Sequence, residues 1–232
     1  MTGRSDIDFQ KAKLIKQGRA EINADFKPLA DWIYKTYGVK PIDINYTIQC
    51  SRPTLEIALE FIRDKEKFKS PDNFSYDGEK QFAISKQFME IANNHIVTER
   101  WGPFNLFSRQ RDKYNTQELL VAFSSFESIA MGEATDNFYR DKINYLKKQV
   151  ASKGIWEIVT FASGATFFFY TNAQVEESEI NGMKKELSLK YYDLLKEYDE
   201  FNYLDRDSFS VSLDSKENFD DKFNSNWYDY FH

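Results

Sequence analysis

Positions 42–50 alternate strictly: Ile42, Ile44, Tyr46, Ile48 and Cys50 are separated by Asp43, Asn45, Thr47 and Gln49. A period of two is that of a strand with one buried face. Ser51-Arg52-Pro53 interrupts the run, and Leu55, Ile57, Leu59 and Phe61 then alternate with Thr54, Glu56, Ala58 and Glu60. The two runs predict an antiparallel hairpin. Cys50 continues its buried face, while Asp43, Asn45, Thr47, Glu56 and Glu60 are left to face water or a partner. Ahead of the hairpin, Phe26, Leu29, Ile33 and Tyr37 form one stripe of a helix over 22–37, stopped at Gly38. The Lys-rich segment 6–19 reads as a short helix or an arm.

Beyond a polar linker at 65–78, Ile84, Phe88, Ile91 and His95 share one face of a helix over 79–96. Residues 101–115, with Gly102-Pro103, read as a loop, and 119–126 as a strand. After a connection through Gly132, a helix capped by Thr135 or Asp136 carries the stripe Tyr139, Ile143, Leu146 and Val150, with Gly154 placed to end it. A second hairpin follows, 155–161 and 166–170 about a Ser163-Gly164 turn. Its strand Phe167-Phe168-Phe169-Tyr170 is apolar on both faces and therefore central in its sheet. Glu176, Glu177 and Glu179 open the longest helix, where carboxylates favour the positive end of the dipole. Its stripe is Ile180, Met183, Leu187, Tyr191, Leu194 and Tyr198. Phe209, Val211 and Leu213 alternate with serines as a last strand. Asn224-Ser225-Asn226 is the expected turn in the acidic, aromatic remainder.

Helix, hairpin, helix, strand thus occurs over about 20–130 and again over about 134–214, which suggests a tandem α-β-β-α-β duplication. The expected fold is α+β, a largely antiparallel sheet with helices on one face. Its parts are an N-terminal arm or helix (1–19), a first half (20–133) and a second half (134–232).

Composition narrows the function. With 41% hydrophobic and 29% charged residues the chain reads as globular. No apolar run approaches the ~18 residues of a membrane-crossing helix, and the N-terminus lacks the apolar core of a signal peptide. One cysteine permits no internal disulfide, which suits a reducing cytoplasm. A net charge of −6 argues against a general nucleic-acid binder. Nucleophilic catalysis would require Cys50 or a serine near one of two histidines, His95 and His232. His95 and Cys50 both sit on apolar stripes and read as core. No GxGxxG, P-loop or Asp-rich cation loop occurs, so no cofactor or metal is expected.

The strongest signal is a segregation of charge. Residues 176–232 carry fifteen acidic and seven basic side chains, a net of −8, against +2 for the first 175. Aromatics are interleaved with the acids, a composition that suits docking of a cationic partner. The candidate contact residues are Asp205, Asp207, Asp214, Glu217, Asp220, Asp221, Trp227, Tyr228 and Asp229. As core, Trp227 and Tyr230 would instead close the end of a sheet.

The run RDSFSVSLDSKENFDDKFNSNWYDYF, over 206–231, resembles the C-terminal end of small bacterial immunity proteins, the YezG-like antitoxins in particular. The hairpin IWEIVTFASGATFFFYT and the helix through Tyr198 are similar to that family's order of elements, so the likeness covers 155–231. The resemblance implies a cytoplasmic, non-catalytic protein that neutralises a basic toxin encoded nearby, often a nuclease, by covering its active surface. A hydrolase using carboxylates or Cys50 with His95, and an assembly protein, are the alternatives.

Overall fold

The computed structural model describes residues 4–72, 74–92, 96–101, 107–136, 140–161 and 164–231. The chain forms two compact units, Met1–Ser128 and Ile129–His232. The sequence-based division lay at 133/134.

In the first unit, helix α1 (Arg4–Lys16) precedes α2 (Lys27–Tyr37), which is entered through a 3-10 turn at Ala24–Phe26. Phe26, Leu29 and Ile33 bury the expected stripe of α2. Gly38 ends the helix in the left-handed region (φ 68°), its N–H bonded to the Tyr34 carbonyl. Strands β1 (Pro41–Gln49) and β2 (Arg52–Leu59) pair antiparallel, Ile44 opposite Ile57. Helices α3 (Ile62–Glu66) and α4 (Gly78–Ala92) lead to a separate antiparallel pair, β3 (Ile96–Trp101) and β4 (Phe107–Asp112). Strand β5 (Leu120–Ser125) then joins β2 in parallel, giving the order β1-β2-β5. The core lies between this sheet and α2 and α4, from Leu29 and Ile33 to Ile84, Phe88 and Phe123.

Helix α5 (Phe126–Asp136) contains the boundary between the units. The second unit continues with α6 (Arg140–Val150), ended by Gly154 at φ 75° after a 3-10 turn, then the antiparallel strands β6 (Ile155–Phe161) and β7 (Gly164–Phe169). Helices α7 (Asn172–Ile180) and α8 (Met183–Lys196) cross to β8 (Ser212–Ser215), which pairs parallel with β7. Two short helices, α9 (Lys216–Phe223) and α10 (Trp227–Phe231), close the chain. β7 is central, as its sequence required, with Phe167, Phe168 and Phe169 all buried.

The fold is α+β, and each three-stranded sheet is mixed: an antiparallel hairpin extended by one parallel strand. The two three-stranded sheets share several local features, although the β3–β4 pair of the first unit has no counterpart among the described strands of the second. Both hairpins carry an irregularity at the same point, between Pro41 and Asp43 and between Ile155 and Glu157. Leu59 stands opposite Ser125, and Phe169 opposite Ser215. Each of those buried serines ends its strand and caps the next helix. Ser125 accepts from the Ser128 N–H (3.3 Å) and Ser215 from the Asn218 N–H (2.9 Å). Two residues later a glutamate ties the crossover down. Glu127 donates its N–H to the Glu60 carbonyl (3.0 Å) and accepts from the first amide of α3, Ile62 (2.8 Å). Glu217 makes the same pair with the Tyr170 carbonyl (3.2 Å) and the first amide of α7, Asn172 (2.8 Å).

Several expectations are corrected. Cys50 is exposed, not buried. Gln49 pairs with Arg52, so Cys50 and Ser51 form a two-residue turn in which both take positive φ (47° and 65°). The polar alternates of β1 do not simply face water, because α1 lies over them. Asp43 and Thr47 are buried. The segment 101–115 contains β4, and the connection through Gly132 is helical. Thr135 lies within α5, its hydroxyl donating to the Met131 carbonyl (3.0 Å). The longest predicted helix is two helices, parted where Gly182 adopts φ 85°, which leaves Ile180 exposed. The last strand begins at Ser212, not Phe209. His95, Gly102, Pro103, Tyr139, Ser163 and His232 lie outside the described residues.

Candidate partner-binding surface

The acidic, aromatic end of the chain is built outward from one ring. On β7, Phe167 and Phe169 turn into the unit's main core, so Phe168 projects from the opposite face. Four rings close over it. Trp227 (5.2 Å, 86°) and Trp156 (6.1 Å, 88°) meet it edge-on, and Tyr230 (5.3 Å) and Phe219 (6.3 Å) complete the set. Trp227 also stacks on Phe219 at 4.0 Å. These contacts seat α9 and α10 on the sheet.

Polar contacts fix the same helices. The Asp214 carboxylate accepts from the Asn218 side-chain amide (2.9 Å) and from the Tyr230 hydroxyl (2.6 Å). Burial first, then the hydrogen bond to Asp214 and that carboxylate's charge, push the Tyr230 phenol above its ordinary range. Asp220 accepts from Lys216 and from the Ser225 hydroxyl (2.6 Å), and Lys216 first, then Ser225, hold its carboxyl below the usual range. Asn224 and Ser225, both at positive φ, make the expected turn. Asn226 then caps α10 by accepting from the Tyr228 N–H (3.0 Å), while its amide donates to Asp229 (2.8 Å).

A Tyr whose folded pKa is raised favours the neutral form in the folded state. Its contribution is complete below the unfolded value and is lost as pH rises through the folded one. Stability of the second unit is therefore expected to fall above the ordinary phenol range, near pH 10. Tyr230→Phe should flatten that part of a stability–pH curve measured by urea unfolding.

The nine predicted contact residues divide into two groups. Asp214, Glu217, Asp220 and Trp227 are engaged in holding the fold. Asp205 closes a turn by accepting from the Ser208 N–H (3.2 Å), and the Ser208 side chain leads the groups that lower its pKa. Asp207, Asp221, Tyr228 and Asp229 are exposed, Tyr228 to 69%. Asp207 lies apart from α9 and α10 in sequence and lines an open cleft of about 660 Å³ with Lys184, Lys185 and Arg206. Phe231, absent from the predicted set, is also exposed (39%). Its spacing of three from Tyr228 on a helix was the available signal.

No family model, curated protein or solved structure matches this chain. Among the described residues, no group of three His, Cys, Asp or Glu side chains is placed to hold a metal, and no helix is long and apolar enough to cross a membrane. Cys50 stands on an exposed hairpin tip, and the His95 proposed as its base lies outside the described residues.

Proposed function

We propose that this chain is a non-catalytic binding protein of the immunity or antitoxin type, and that its α9–α10 surface engages a basic protein toxin in the cytoplasm. One observation carries the reading. The inner rings of the helix pair are locked over Phe168, while Tyr228 stands outward on the same short elements as the exposed carboxylates Asp221 and Asp229, with Phe231, packed on Trp227 and Tyr230, partly exposed at the end of α10. An aromatic ring on a rigid support loses little entropy on docking and supplies a large contact area. Carboxylates around it steer a cationic partner and disfavour an anionic one. The net charge of −8 over 176–232 supports the same polarity, as does the resemblance of 206–231 to YezG-like antitoxins.

The test is to mix the protein with the basic toxic product of an adjacent reading frame. A stable complex should form, and its affinity should fall at least about ten-fold as salt is raised past the concentration at which the Debye length drops below about 5 Å. Absence of a complex, or an affinity indifferent to salt, contradicts the proposal.

A further inference from the structure

Helix α1 is attached to the first unit by different chemistry from the rest of that unit. Asn45 meets Asp8 and Asp43 meets Lys11, so α1 runs antiparallel to β1 across the polar face of the sheet. Among its described side chains, Phe9 and Ala12 are the buried apolar ones, and Phe9 stacks on Phe126 at 5.0 Å. Polar contacts add to these. Lys11 Nζ lies 2.6 Å from Asp43, the Asn45 amide donates to Asp8 Oδ1 at 2.6 Å, and Lys16 Nζ reaches Glu60 at 2.5 Å.

This interface leaves several polar groups worse placed than they would be in water. The Asp43 side chain is only 5% exposed. Its burial raises the carboxyl above the ordinary range, outweighing the opposing effects of Lys11 and the Ile44 N–H, with Asp8 adding to the rise. Asp8 Oδ2 and, next along that face of β1, Thr47 Oγ1 are buried without a hydrogen-bond partner. A carboxylate buried at an ion pair, beside two unsatisfied oxygens, weakens closure. Separation returns all of these groups to solvent, which favours local opening of the element.

We propose that α1 is a detachable strap, and that the sheet face beneath it is a docking surface for a lysine-bearing helix of a partner, with α1 as its resident occupant. The chemistry of the occupant is set by α1 itself. The helix carries four basic and two acidic residues, presents Lys11 and Lys16 to Asp43 and Glu60, and anchors through one ring at Phe9. This surface belongs to the first unit and does not depend on the role given to α9 and α10.

Hydrogen exchange on the full chain provides the test. Amides of α1 should exchange at least about ten-fold faster than those of β1 and β2. Asp43→Asn should slow α1 exchange, because a neutral amide keeps the shape and removes the buried charge. Thr47→Val should act in the same direction. In the full chain carrying Phe9→Ala, α1 should exchange freely, and a labelled peptide of residues 4–16 should then bind it at least about ten-fold more tightly than it binds the unaltered protein. The proposal is overturned if α1 exchanges only with global unfolding or if Asp43→Asn speeds its exchange. It is equally overturned if the peptide fails to bind a Phe9→Ala chain whose α1 exchanges freely.

Discussion

Phe168→Ala is expected to destabilise the second unit by about 3–5 kcal/mol, the range for truncating a fully buried phenylalanine. The upper part of that range is expected here for a structural reason. Phe168 has no accessible surface and touches rings from three elements, Trp156 on β6, Phe219 on α9, and Trp227 and Tyr230 on α10. Its removal opens a void that α9 and α10 can fill only by giving up their stacking on each other. Urea unfolding followed by tryptophan fluorescence reads this directly, because Trp156 and Trp227 line the void. Phe168→Leu should recover a large part of the loss. An alanine variant as stable as the parent would mean that the ring cluster does not seat the helices.

Asp199→Ala is the second large effect, at about 3 kcal/mol or more, because it strands buried partners. Its side chain is 1% exposed and accepts from Lys196 Nζ (2.7 Å) and from the backbone N–H groups of Tyr203 and Leu204 (both 2.9 Å). These bonds fold the chain back after α8 and lead into the Asp205–Ser208 turn. Asp199→Asn keeps the shape and one acceptor oxygen, so it should lose distinctly less. Equal losses for the two substitutions, in the same unfolding assay, would place the effect in packing instead of in the bonds.

What could be read from the sequence follows the strength of each local signal. The Phe26–Leu29–Ile33 stripe and the alternation through Ile44 and Ile57 each have one dominant period and form where expected, and the apolar run from Phe167 is buried through Phe169, although Tyr170, read as its last residue, falls beyond β7 and is exposed. β4, with the sequence FSRQRD, has no apolar face to betray it. The stripe from Ile180 to Tyr198 concealed a break, because Asn181-Gly182 falls between two segments that happen to stay in phase. Period-two counting carried Cys50 into the strand, although hairpin closure depends on the pairing of Gln49 with Arg52. In the acidic segment the sequence indicated which residue types were present, not their assignments. Whether a carboxylate faces solvent or binds a helix terminus depends on partners far along the chain, as for Glu217 with Asn172 and Asp214 with Tyr230. Trp227 and Tyr228 are adjacent and chemically alike, yet helical geometry turns one inward and the other outward.

That adjacency supplies the decisive measurement. Affinity for the basic partner should be determined by titration for the parent chain, for Tyr228→Ala, and for the pair Asp221→Lys with Asp229→Lys. Tyr228→Ala should weaken binding by about 2 kcal/mol, roughly thirty-fold, in a chain that still unfolds cooperatively, as for an exposed aromatic anchor. The double charge reversal should weaken it further and abolish its salt dependence. A partner that binds all three chains equally well would contradict the assignment of α9 and α10 as the contact surface.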